Sequence, residues 1–92
     1  MIIRIAGEGQ YRMPSGELDR LNELDNEVVA LVAASDEPQF RKAYAGMIDF
    51  VKSRGEALGA DELLTSDVVL PSSDLSLEEA KRLFTGEGVV PG

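Results

Sequence analysis

The first stretch of the chain is β-branched. Ile2-Ile3-Arg4-Ile5-Ala6 stops at Gly7-Glu8-Gly9, after which Gln10-Tyr11-Arg12-Met13 resumes a strand-like run. The pattern predicts a hairpin with a three-residue loop at Gly7-Glu8-Gly9. Pairing across that loop sets Ile5 opposite Tyr11, Arg4 opposite Arg12 and Ile3 opposite Met13. One face is then apolar (Ile3, Ile5, Tyr11, Met13) and the other carries Arg4, Gln10 and Arg12, which is the signature of one buried and one wet face.

Pro14-Ser15-Gly16 ends the hairpin and supplies a helix start, with Ser15 as the expected N-cap and Glu17 favourable in the first turn. Residues 16–34 show helical spacing through Leu18, Leu21, Leu24, Val28, Leu31 and Val32. Ser35-Asp36-Glu37-Pro38 breaks that helix and starts a second, because proline is tolerated in a first turn. The second helix, residues 37–54, carries Phe40, Ala43, Tyr44, Met47, Ile48 and Val51, and Gly55 fits its C-terminal cap. Acids at its start (Asp36, Glu37) and bases at its end (Lys52, Arg54) suit its dipole. A connection this short makes the two helices an antiparallel hairpin.

From Glu56 to Leu75 the helical period is lost, and Asp67-Val68-Val69-Leu70-Pro71 reads as a short edge strand or extended segment ended by proline. Ser76-Leu77-Glu78-Glu79 is a capping box opening a short helix with Leu77, Ala80, Leu83 and Phe84 on one side. Gly86 stops that helix, and Val89-Val90-Pro91 reads as a final extended piece. The fold expected is therefore α+β: an N-terminal β-hairpin packed on an antiparallel helical hairpin, with an extended segment and a short C-terminal helix. No linker divides the chain, so residues 1–92 are read as one domain.

Composition narrows the chemistry. The 92 residues hold 17 acids against 9 bases, a net charge of −8, which argues against nucleic acid or anionic lipid as the main ligand. Cysteine and histidine are absent, removing disulfides, thiolate nucleophiles, zinc fingers and His-dependent triads. No apolar run is long enough to span a membrane. Gly7-Glu8-Gly9-Gln10-Tyr11-Arg12 fails the dinucleotide fingerprint, since Arg12 stands at the third glycine position and a strand follows it. No Walker loop or EF-hand spacing occurs. The expectation is no catalytic residue, no cofactor and no tight metal site. A small metal-dependent enzyme or sensor using the carboxylates stays open as an alternative.

Four features invite a functional reading. Arg4 facing Arg12 would be repulsive unless an anion or a carboxylate, from a partner or from the chain's own acids, lies over the pair. Asp25 falls inside the apolar arc of the first helix, so its carboxylate must be hydrogen-bonded there or take part in recognition. Both helices are apolar over a wide arc, roughly 160° in the first against the ~100° that facing a core requires. Val29, Leu31 and Phe50 at the arc edges are accordingly the candidate partner contacts. Gly46, mid-helix at about 1 kcal/mol against alanine, points to a close backbone approach. Finally, residues 56–79 hold seven acids and no base, ending in Glu78 and Glu79. The run is either a solvated face or a steering surface for a basic partner, and an acidic inhibitor of an unrelated basic protein is a further alternative.

Several segments together carry a resemblance: Met1 to Tyr11 (MIIRIAGEGQY), Leu21-Asn22-Glu23-Leu24-Asp25-Asn26, Ser66-Asp67-Val68-Val69-Leu70-Pro71 with Asp74, Leu77-Glu78-Glu79, and Gly86-Glu87-Gly88-Val89-Val90-Pro91-Gly92. Their order and spacing resemble PspAA, the small domain associated with phage-shock protein A in actinobacteria and haloarchaea. The resemblance runs along essentially the whole chain. It implies a PspA-like coiled-coil protein as partner, a role in the envelope-stress (phage-shock) response, and a cytoplasmic location with membrane contact only through that partner. It supplies no catalytic residues, and self-association stays open.

Overall fold

A computed structural model of the chain describes residues 1–59 and 64–83. Its elements run β1 (Ile2–Ile5), β2 (Gly9–Arg12), a turn of 3-10 helix (Ser15–Glu17), α1 (Leu18–Ala33), α2 (Glu37–Arg54), β3 (Glu56–Ala57), β4 (Val68–Leu70) and α3 (Leu77–Leu83). The strands form one sheet in the order β3-β2-β1-β4. The architecture is the α+β arrangement read from the sequence: a hairpin on two packed helices, a further strand and a short helix. The extended segment proves to be an edge strand, paired parallel to β1. Asp67 clamps its start twice, donating its backbone N–H to the Ile2 carbonyl (2.8 Å) and accepting the Ile2 N–H on Oδ2 (2.7 Å).

The hairpin has the predicted faces but a different register. Ile3 lies opposite Tyr11 and Ile5 opposite Gly9, so Arg4 faces Gln10, and Arg12 faces Ile2. The cause is the turn. It occupies Ala6-Gly7-Glu8, closed by the Glu8 N–H on the Ile5 carbonyl (2.9 Å), with Gly7 at φ 81° in the left-handed region that a type II turn needs at its third position. Gly9, also left-handed at φ 104°, is already in the strand. The slip is two residues, and because side chains alternate with period two, no side chain changes face.

The inner face is dry. Ile3, Ile5, Met13, Val68 and Leu70 are buried with Leu21, Val28 and Val32 of α1 and Phe40, Tyr44, Met47, Ile48 and Val51 of α2. Phe40 and Tyr44 stack with centroids 5.9 Å apart and planes 14° from parallel. The Tyr44 hydroxyl donates to the Pro71 carbonyl, tying α2 to the residue after β4. Burial, with a smaller contribution from Glu8, holds that phenol well above its ordinary pKa.

Helix ends show where local chemistry operates. Ser15 is not an N-cap: Pro14 is extended (φ −62°, ψ 145°) and the chain enters α1 through the 3-10 turn, with no side-chain cap. α1 closes in a Schellman motif, with Ser35 left-handed at φ 54° and bonds from Ser35 N–H to Val32 (3.0 Å) and Asp36 N–H to Leu31 (3.1 Å). Asp36 then caps α2, accepting the Gln39 N–H at 3.3 Å. Gly55 ends α2 in an extended conformation (φ −85°, ψ 157°). It is glycine because of crowding: a Cβ there would sit 2.6 Å from the Val51 carbonyl oxygen and 3.1 Å from the Tyr11 Cβ. Gly46 has no such neighbour among the described residues, where a Cβ would meet nothing within 4 Å, so they do not make the close approach expected there.

Ser76 caps α3 in part as predicted. Its Oγ accepts the Glu79 N–H (3.2 Å) while its hydroxyl donates to the Glu79 carboxylate (3.0 Å), so Glu79 returns to the side chain of Ser76. On α3 Ala80 is buried and Leu77 half-buried, whereas Leu83 is exposed and does not extend the buried side. Phe84, the Gly86 stop and the Val89-Val90-Pro91 segment lie outside the described residues.

Candidate interaction surfaces

The outer face of the sheet, opposite the helices, is built in two rows. Val69, Arg4 and Gln10 lie side by side across β4, β1 and β2, and Ile2, Arg12 and Glu56 across β1, β2 and β3. Arg4 and Arg12, expected directly opposite, are instead diagonal neighbours on this face, both exposed. The diagonal separation, about 7–8 Å between backbones, lessens their repulsion without removing it. Glu56 is the strand neighbour of Arg12. Even so, the ion pairs among the described residues are elsewhere: Arg20–Glu23 (3.0 Å), Arg41–Glu37 (3.5 Å) and Lys52–Glu8. The last joins the hairpin turn to the final turn of α2, and the Lys52 pKa is raised, first by its hydrogen bond to Glu8.

The segment entering β4 borders this face. Gln10 Nε2 donates to the Leu64 carbonyl (2.6 Å) and to Ser66 Oγ (2.9 Å). Leu64 is 41% exposed and Val69 56% exposed. Neither stands out in the sequence. Val68-Val69-Leu70 is apolar throughout, so no alternation says which side faces water, and only the pairing with β1 turns Val69 outward.

The helix flanks look different. Val29, Leu31 and Phe50 are half-buried and pack against the core. The exposed large hydrophobic residues among those described are Leu64, Val69 and Leu83, none of them on α1 or α2. Arcs wider than a core demands are thus largely consumed by the sheet, by each other and by α3, which packs on α1.

Asp25 is fully buried on the core face of α1, beside Leu21, Val28 and Val32 in the helical repeat. No buried side-chain oxygen or nitrogen among the described residues lacks a hydrogen-bond partner, and Asp25 is among the partnered groups. Its carboxylate is an internal structural group and faces no solvent.

Of the acidic run, Glu56, Asp67, Asp74, Glu78 and Glu79 are exposed, the last two in the first turn of α3. Asp61 and Glu62 lie outside the described residues. Among the described residues no group of three carboxylates converges to hold a metal ion.

This geometry defines a small two-layer α+β domain whose candidate sites are surfaces: a mixed basic and apolar sheet face, two half-buried helix flanks and an acidic helix start. The chain belongs to the PspA-associated protein family, PspAA, whose family model matches residues 1–92. No curated protein and no solved structure matches it.

Proposed function

We propose that this chain is a non-catalytic adaptor or regulator of a PspA-type membrane-stress protein, acting by protein–protein contact on the cytoplasmic side of the membrane. The observation that carries the reading is the family match over residues 1–92, because the family is named for association with PspA. The surfaces are consistent with it, offering apolar and charged groups to a macromolecule. Among the described residues no helix is long and apolar enough to cross a membrane, so membrane contact in this reading comes through the partner.

Val29, Leu31 and Phe50 serve as apolar contacts in this proposal, and Glu78 and Glu79 as steering charges. The test is to mix the purified chain with a purified PspA-type protein and follow the complex by sedimentation or calorimetry at two salt concentrations. Phe50→Ser is expected to weaken binding by about 1–3 kcal/mol with the fold retained. Neutralising Glu78 and Glu79 is expected to slow association and flatten its salt dependence. No complex at tens of micromolar, with both proteins folded, removes the proposal. Unfolding of the Phe50 variant would assign that side chain to the core alone.

A further inference from the structure

Nine bases stand against 17 acids in this chain, and most of the bases have an evident local role. Arg20, Arg41 and Lys52 are ion-paired. Arg54, Lys81 and Arg82 lie in the last turns of α2 and α3, where positive charge meets the helix dipole. Three bases have neither role: Lys42, exposed within α2, and Arg4 and Arg12 on the sheet. Arg4 and Arg12 are diagonal neighbours on the outer sheet face, both exposed, with no carboxylate among the described residues within ion-pair distance. Glu56, the strand neighbour of Arg12, is the acid adjoining them in the two rows. Like charges this close on one sheet face are unfavourable, and no acid among the described residues pairs with either of them. Val69, next to Arg4 across β4, is the most exposed large hydrophobic residue described, and Leu64 borders the same face.

From this juxtaposition we infer that the outer face of the sheet is a docking surface for an acidic amphipathic segment of the partner protein, its carboxylates on Arg4 and Arg12 and its apolar side on Val69. The inference rests on the adaptor reading for the identity of the partner and adds a second contact surface to the helix flanks. Charge complementarity selects the occupant. A second copy docked face to face about a two-fold axis through the pair would set arginines against arginines. A nucleic acid or an anionic bilayer would gain two positive contacts while meeting a chain of net charge −8. An acidic segment reaches the local positive charge and leaves the rest of the chain's surface in solvent.

The experiment compares the wild-type chain with Arg4→Gln/Arg12→Gln and with Val69→Ser, each titrated with a purified PspA-type protein, and maps the wild-type complex by backbone amide shifts. The double variant is expected to bind about tenfold or more weakly at low salt, with the loss shrinking as salt rises. Val69→Ser is expected to weaken binding with little dependence on salt. Amide shifts are expected at residues 2–4, 10–12 and 68–70, and this mapping decides the matter on its own should a variant fail to fold. Wild-type binding with both variants within about twofold of it, or shifts confined to α1 and α2, overturns the docking surface and leaves the adaptor reading standing. Failure of the wild-type chain to bind overturns both. Binding to vesicles of phosphatidylglycerol that needs the two arginines, with no PspA-type protein on the sheet, replaces the acidic segment with a lipid surface and overturns the inference.

Discussion

Gly46, within α2, and Gly55, which caps it, show how little residue type says without its surroundings. The sequence points to a close approach at Gly46 and a cap at Gly55, yet among the described residues a Cβ at Gly46 would meet open space, and at Gly55 it would sit 2.6 Å from the Val51 carbonyl. Gly46→Ala should therefore stabilise the domain by about 1 kcal/mol through helix propensity alone. Gly55→Ala should destabilise it by about 1–3 kcal/mol, because the end of α2 must move away from β2. Urea denaturation of the two variants checks both signs. Tyr44 ties stability to pH. Its phenol is held protonated in the fold above its ordinary value of 10.0. The unfolded chain therefore loses that proton first as pH rises, and stability falls from about pH 10 upward. Lys52, also raised, from 10.5, keeps its proton longer when folded and loses its contribution in the same alkaline window. Tyr44→Phe should be less stable at neutral pH, having left the Pro71 carbonyl without its donor. Its melting temperature should then decline less steeply between pH 9.5 and 11 than that of the wild type. Equal slopes would show that burial does not hold the proton on Tyr44.

At the level of elements, capping chemistry separates what the chain specifies locally from what it does not. Ser76 meets both the N–H and the carboxylate of Glu79, so Ser76→Ala should cost about 1 kcal/mol. Ser73→Ala, at an exposed position before the helix, should cost little, and thermal melts of the pair distinguish them. Both long helices and α3 were legible, because 3.6-residue periodicity and caps such as Asp36 and Ser76 are local signals. The hairpin faces were legible from alternation. Its register was not, since two glycines flank Glu8 and only the folded turn decides which of them belongs to the strand. β3 could not be read at all. Glu56-Ala57 has no strand propensity and is extended because the end of α2 delivers it beside Tyr11 and Arg12. The candidate surfaces divide in the same way. Arg4 and Arg12 were visible as a like-charged pair on the wet face. Val69 was not, because its outward direction depends on β4 pairing with a strand more than sixty residues earlier.

For the molecule as a whole, the decisive interface is the one between the sheet and the two helices. Ile5 lies at its centre, fully buried and flanked by Gly9 and Leu70 on the neighbouring strands. Ile5→Asp would bury a charge without a partner, at a cost of several kcal/mol against a total stability of about 5–14 kcal/mol for this length. Loss of the cooperative melt is expected, and an unchanged melt would mean that the hairpin meets water on both sides. Asp25, buried on the core face of α1, differs from such a substitution in being among the partnered groups.

The parallel pairing of β1 with β4 also sets the order in which the molecule can be assembled. β1 is the second residue onward of the chain, and its partner begins at Val68. During synthesis the hairpin and both long helices can emerge and pack while one side of β1 still has no neighbour. Such a distant pairing closes late and slowly compared with the local contacts around it. Until it closes, the backbone of Ile3, Arg4 and Ile5 presents an open strand edge, the kind that captures strands from other chains. A nascent or truncated chain ending before Leu70 would accordingly be prone to aggregate even with its helices formed, which makes β4 a guard for β1.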